Sequence, residues 1–217
     1  DAAKVDVANV AHAGTSSRSY FNTPGDWPAA LARIKPGDFV LLVFGINDGA
    51  APPAGRGSLP GTGDETVEVK RQDGSVEIAH TYGWYMSTMA TLAREKGAKV
   101  TLLTVTTRDI WNNPNGLEFR AGVPNKPVPA DHDFKLDRIE RGTGNGRYTQ
   151  WTKDVAAKLK LPVLDLTNLC ADRYEALGRE KVDLFYSDHN HTYVPGADYV
   201  AATIVSGLKA FKDNPLV

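Results

Sequence analysis

Residues 37–49 read Gly37-Asp38-Phe39-Val40-Leu41-Leu42-Val43-Phe44-Gly45-Ile46-Asn47-Asp48-Gly49. Six consecutive apolar residues follow a Gly-Asp pair and give way to a short polar loop flanked by glycines. A run this short and this evenly apolar marks a strand buried on both faces, as in a parallel sheet covered by helices. Residues 4–10, 99–105 and 162–166 read the same way, each β-branched or Leu-rich.

Helical patterns lie between these strands. Residues 27–34 stop before Pro36-Gly37, and residues 82–96 stop at Gly97, a candidate C-cap. Residues 148–160 set Trp151, Val155 and Leu159 on one stripe. A last helix starts at Pro195, a favoured first-turn residue, and carries Tyr199, Ala202, Ile204, Val205 and Leu208. Alternating strands and helices predict an α/β fold, a three-layer sandwich with a doubly wound parallel sheet. Three stretches interrupt the alternation. Residues 50–64 are rich in Gly and Pro and read as loop. Residues 66–70 and 75–79 read as a hairpin around Asp73-Gly74. Residues 107–146 form a long polar connection, which in a compact domain is usually a functional loop. No repeat or linker is visible, so residues 1–217 are expected to form a single domain.

Composition narrows the function. A 217-residue chain with 41% hydrophobic and 24% charged residues is ordinary for a globular protein. A net charge of −1 gives no electrostatic reason to expect nucleic acid or an anionic membrane as partner. The longest apolar runs are far too short to cross a bilayer. Cys170 is the only cysteine, so no intrachain disulfide forms, and it reads as a small buried hydrophobe. The chain opens Asp1-Ala2-Ala3-Lys4 with neither initiator Met nor signal peptide, which reads as a processed or cut end.

Three polar clusters follow strands or precede the final helix, where open α/β sheets place their ligands. They are Asn9-Val10-Ala11-His12-Ala13-Gly14-Thr15-Ser16-Ser17, Phe44-Gly45-Ile46-Asn47-Asp48-Gly49 and Ser187-Asp188-His189-Asn190-His191-Thr192. Singly each is weak: an Asn-Asp-Gly after a strand is most often a turn. An Asp three residues before a His is most often surface or cap. Asn190-His191-Thr192 has the form of a glycosylation site, but a glycan there would cover the histidine, so it reads as unused. Asp131-His132-Asp133 reads as a solvated charge cluster, because adjacent residues on a polar loop rarely converge on one ion. No metal or organic cofactor is expected.

Taken together, in order and spacing, the clusters resemble sequence blocks of the SGNH/GDSL hydrolases. The rhamnogalacturonan acetylesterase branch is closer still, through Arg56-Gly57-Ser58-Leu59-Pro60-Gly61, Arg173-Tyr174-Glu175-Ala176-Leu177-Gly178 and Asp188-His189-Asn190-His191-Thr192. The resemblance implies a flavodoxin-like SGNH fold and a secreted or periplasmic serine esterase. Its substrate would be an acetylated plant polysaccharide, rhamnogalacturonan in pectin or alternatively xylan. By the same resemblance His191 would be the general base, with His189 its rival. Asp188 would orient it, and Gly14 and Asn47 would form the oxyanion hole. The four groups are expected to converge at the C-terminal rim of the sheet. Trp111 is a candidate for stacking on a sugar, with core packing the equal alternative.

One family element is absent. No Gly-Asp-Ser triplet, the family's nucleophile block, occurs in the 217 residues. The resemblance puts that block on a strand between residues 4–10 and 39–44. The central strand and its serine are therefore expected on a separate peptide that completes the sheet. Ser16, Ser17 or Ser19 as replacement nucleophile, and an inactive carbohydrate-binding homologue, are the alternatives.

Overall fold

The computed structural model describes residues 5–71, 73–109, 145–188 and 190–211. The chain divides into two compact units, Asp1–Leu103 with Gln150–Val163, and Thr104–Thr149 with Leu164–Val217.

In chain order the first unit holds α1 (Ser17–Asn22), α2 (Trp27–Arg33), β1 (Phe39–Leu42), β2 (Thr66–Lys70), β3 (Val76–His80), α3 (Tyr82–Glu95) and β4 (Lys99–Leu103). The later part of α4 (Asn145–Leu159) belongs to it as well. β1 and β4 pair in parallel, with Phe39 opposite Lys99 through Leu42 opposite Leu102. The two-residue strand β5 (Val163–Leu164) follows in the order β1-β4-β5, and Leu102 N–H donates to the Pro162 carbonyl at 3.0 Å. The expected hairpin is present as antiparallel β2–β3.

Thr81 caps α3 by accepting from the Trp84 N–H, and Gly97 follows the helix end. Tyr82, Tyr85, Met86, Met89, Ala90 and Ala93 fill one face at helical spacing and are all buried. Met86 and Met89 are fully enclosed, each a gain of roughly 1.5–3 kcal/mol over an exposed side chain. The Tyr82 hydroxyl donates to the Phe44 carbonyl and accepts from Thr152 on α4 at 2.8 Å. That bond fixes the end of the chain segment leaving β1.

An ion cluster holds the periphery. Arg18 on α1 makes a two-pronged pair with Glu77 of β3, at 2.8 and 3.0 Å, and donates to the Gly55 and Gly57 carbonyls. Asn22 and Arg71 add donors to the same carboxylate. Burial pushes the Glu77 carboxyl up, but Arg18 and then Arg71 outweigh it and hold it below its ordinary value. Breaking a buried pair of this kind typically costs roughly 3–5 kcal/mol, so this cluster fixes α1 and the loop before β2 against the hairpin.

Residues 4–10 do not form the expected strand in their described part. Residues 5–10 carry no strand, and Val5, Val7 and Val10 are exposed, Val7 at 81%. A β segment holds its conformation only when a neighbour takes its backbone hydrogen bonds. Among the described residues no strand bonds to this segment, nor to the edge of β1 away from β4.

The second unit holds α5 (Leu166–Leu177), α6 (Arg179–Asp183) and α7 (Val194–Lys209). Leu166, Thr167, Cys170, Ala171 and Tyr174 form the buried face of α5, and Asp165 caps its start. Cys170 is fully enclosed, and burial pushes its thiol up to about 12. Buried hydroxyls knit this unit together: Thr167 bonds to Thr104 and Thr149. α7 begins with Pro195 in its first turn, as expected, but buries Gly196, Thr203 and Leu208 while Ala202 and Val205 are exposed. No helix of the described residues is long and apolar enough to cross a membrane.

Candidate active site

In the second unit Tyr186 and Thr192 bridge antiparallel, closing a tight turn around Asp188 and His191. Ser187 N–H donates to the His191 carbonyl at 2.8 Å, and Tyr193 N–H to the Phe185 carbonyl at 2.7 Å. Below the turn the Tyr186 hydroxyl donates to the Thr107 carbonyl at 2.9 Å and so accepts from Tyr174 at 3.0 Å. Burial drives both phenols up, Tyr174 to about 12. Neither ionises near neutrality, and the pair acts as a fixed anchor under an exposed turn.

On that anchor Asp188 Oδ2 lies 2.8 Å from His191 Nδ1. Asp188 Oδ1 accepts from the backbone N–H groups of Asn190 and His191 at 2.7 and 2.8 Å. The His191 side chain supplies the largest pull on the Asp188 carboxyl, the backbone donors add to it, and together they hold it well below the usual carboxylate range. A carboxylate only accepts, so Nδ1 carries a proton toward Asp188, and in the neutral ring the lone pair is then on Nε2. The imidazole is 74% exposed, so that lone pair is open to a substrate. A base held in the right tautomer results.

In the first unit Gly14 and Asn47 are brought together. Gly14 adopts φ +77°, a left-handed backbone that glycine tolerates without cost. Asn47 Nδ2 donates to the Thr15 carbonyl at 3.2 Å, and Arg56 donates to Asn47 Oδ1 at 2.9 Å. Beneath them Asp48 is fully buried and collects four donors: the Ser17 N–H and hydroxyl, the Ser58 hydroxyl and the Gly45 N–H. Burial pushes its carboxyl above the ordinary value, against those donors, which favour the ionised form. Asp48 thereby fastens three loops to one side chain.

The alternative nucleophiles are committed elsewhere. Ser16 is buried and caps α1 while donating to the Arg56 carbonyl at 2.6 Å. Ser17 is buried on Asp48, and Ser19 completes the capping box. Sequence reasoning gave no role to Arg56 or to the exposed His12, whose Nδ1 lies 2.9 Å from Asp26. For His12 the signal was its place two residues before Gly14; for Arg56 there was none beyond its place in the block at 56–61. His189, Trp111 and the cluster at 131–133 lie outside the described residues. Among the described residues no group of three or more His, Cys, Asp or Glu side chains is placed to hold a metal ion.

The first unit thus carries Gly14 and Asn47 on two polar loops, and the second unit carries the Asp188–His191 pair ahead of its last helix. The chain belongs to the GDSL-like lipase/acylhydrolase family, whose model matches residues 1–195. Rhamnogalacturonan acetylesterase of Emericella nidulans is 30% identical over 216 residues, which cover 96% of this chain and 77% of that protein. In three dimensions the fold matches the Bacillus subtilis protein YxiM, at TM-score 0.64 and 24% identity. That match covers 96% of this chain, which spans about half, 47%, of the YxiM chain. A catalytic mutant of an acetylxylan esterase from Geobacillus stearothermophilus matches at TM-score 0.53 and 14% identity, over 92% of this chain and 69% of that one. The mixed α/β architecture expected from the sequence is that of these solved structures.

Proposed function

We propose that the chain carries the base, its supporting carboxylate and the anion-stabilising donors of a serine esterase that removes acetyl groups from rhamnogalacturonan. The observation that carries this reading is the Asp188–His191 pair, 2.8 Å apart with the far imidazole nitrogen open. The 30% identity to a rhamnogalacturonan acetylesterase supports the choice of sugar. In the reaction His191 Nε2 takes the proton of a serine hydroxyl as its oxygen attacks the acetyl carbonyl. The carbonyl oxygen becomes an oxyanion received by the Gly14 N–H and Asn47 Nδ2. The C–O bond to the sugar breaks, and His191 returns the proton to the leaving alcohol. Water, deprotonated by the same imidazole, then releases acetate from the acyl-serine. A polymeric substrate puts this work outside the cytoplasm.

The serine comes on a segment beyond these 217 residues that adds a strand beside β1. Exposed Leu41 and Val43 support this, because they leave apolar side chains uncovered on and just after a strand that pairs on one edge only among the described residues. Mass spectrometry of native material is expected to find a Gly-Asp-Ser sequence, either joined to these 217 residues or on a polypeptide bound to them. A single species lacking that triplet would overturn the segment proposal.

Acetate release by native material should be faster from acetylated rhamnogalacturonan than from acetylated xylan, with p-nitrophenyl acetate as the neutral control. Faster release from xylan would transfer the assignment to that sugar. Native protein that binds pectin and is inert on all three esters would mark a carbohydrate-binding homologue instead.

A further inference from the structure

An asparagine amide has nearly the same shape either way round, yet only one orientation presents a donor to an oxyanion. Its neighbours decide which. At Asn47 one neighbour is a guanidinium, which only donates, and the other a backbone carbonyl, which only accepts. Arg56 Nη2 stands 2.9 Å from one amide atom and the Thr15 carbonyl 3.2 Å from the other. Oδ1 must therefore face Arg56, and Nδ2 must face Thr15. Thr15 uses one of the two Nδ2 hydrogens, and the second is left for a substrate oxygen.

Arg56 is suited to hold that orientation. Its backbone carbonyl accepts from the buried Ser16 hydroxyl at 2.6 Å, and the Gly57 N–H donates to the Ala50 carbonyl at 2.7 Å. A Cβ on Gly57 would stand 2.1 Å from the Asp48 carbonyl oxygen, so the chain here runs directly against the Asn47–Asp48 loop. The Arg56 side chain is exposed, with Nη1 3.7 Å from where a Gly14 Cβ would lie. Among the described residues no carboxylate forms an ion pair with it, so its charge is not neutralised there.

We infer that Arg56 is the positioning residue that locks the Asn47 amide with its nitrogen toward the substrate oxygen. This rests on the esterase reading, in which Asn47 serves the oxyanion hole. Without the guanidinium only the 3.2 Å contact to the Thr15 carbonyl holds the amide, and for part of the time it turns and offers a lone pair to a developing negative charge.

A double-mutant cycle in the active native protein, assayed on p-nitrophenyl acetate, tests it. Arg56→Met is expected to lower kcat up to about a hundredfold with KM near wild type, and Arg56→Lys to recover part of the loss. In an Asn47→Ala background the same Arg56→Met change should cost nothing further, because the group it positions is gone. An equal loss in both backgrounds overturns the inference, as does a raised KM with unchanged kcat. An inert Arg56→Met beside a damaging Asn47→Ala sinks the inference alone. A harmless Asn47→Ala sinks the oxyanion assignment and the inference together. Independently of activity, the nuclear Overhauser contacts from the Asn47 side-chain amide protons to Thr15 should be strong in wild type and weakened in Arg56→Met. Unchanged contacts in the variant would also overturn the inference.

Discussion

Alanine at His191 is expected to lower kcat on p-nitrophenyl acetate by a factor on the order of 10⁶ in the active protein, with the fold intact. The side chain is 74% exposed and touches the rest of the protein chiefly through Asp188, so its removal leaves no cavity and frees no buried partner. The loss is chemical. A serine hydroxyl attacks slowly unless its proton is taken during the attack, and the imidazole is the acceptor proposed for that proton. Residual catalysis about 10³–10⁴ above water should persist, from oxyanion stabilisation and binding alone. Circular dichroism and kcat together check this. A correctly folded variant within tenfold of wild type would remove His191 from the mechanism.

Asparagine at Asp188 comes next, with an expected loss of about 10⁴ in kcat. The geometry explains why an isosteric change does so much. The backbone N–H groups of Asn190 and His191 both point at Oδ1, and in the variant they hold the amide oxygen there. The amide nitrogen must then face His191 Nδ1 as a donor. That forces the ring proton onto Nε2, the atom that has to accept from the serine. Nitrogen NMR of the imidazole should report this tautomer change directly, and an unchanged tautomer would refute the argument. The pH dependence follows from the sign of the shift. A carboxyl held below its ordinary value keeps its ionic contribution above that value and loses it only as pH falls through the folded one. Lowering the pH through about 4, where free carboxylates titrate, should therefore leave the wild-type Asp188 contact intact.

The elements legible in the sequence were those whose signal is local. The apolar run at β1, the stop at Gly97, and Asp73-Gly74 in the hairpin each specify backbone through a few adjacent residues, and the structure follows them. Asp188 and His191 were legible for the same reason, three positions apart in one turn. The expected strands are longer than those observed: β4 ends at Leu103, although the Thr104 N–H still reaches the Leu164 carbonyl at 3.0 Å, and β5 has two residues. The segment at 4–10 failed differently, since its Val-Asp-Val alternation describes what a strand could be but not whether a neighbour pairs with it. Helix α1 escaped notice because Ser-Arg-Ser-Tyr-Phe-Asn has no helical stripe, and its capping by Ser16 and Ser19 is visible only in three dimensions. The stripe of α5 runs from Leu166 to Tyr174, but Leu166 also continues the apolar run of the preceding strand, which hides the start of the helix. Asp48 and Arg56 depend on partners brought near by folding: Ser17 lies 31 residues from Asp48, and Arg56 nine from Asn47. No sequence pattern announces a guanidinium that orients an amide.

The enclosed thiol of Cys170 has a practical consequence for spectroscopy. With its proton bound up to about pH 12, only about one molecule in 10⁵ carries a thiolate at neutral pH, and the surrounding α5 face keeps reagents away from it. Maleimide dyes and nitroxide tags should therefore ignore the native chain and react only where a surface cysteine is introduced, giving a silent background for probes in either unit.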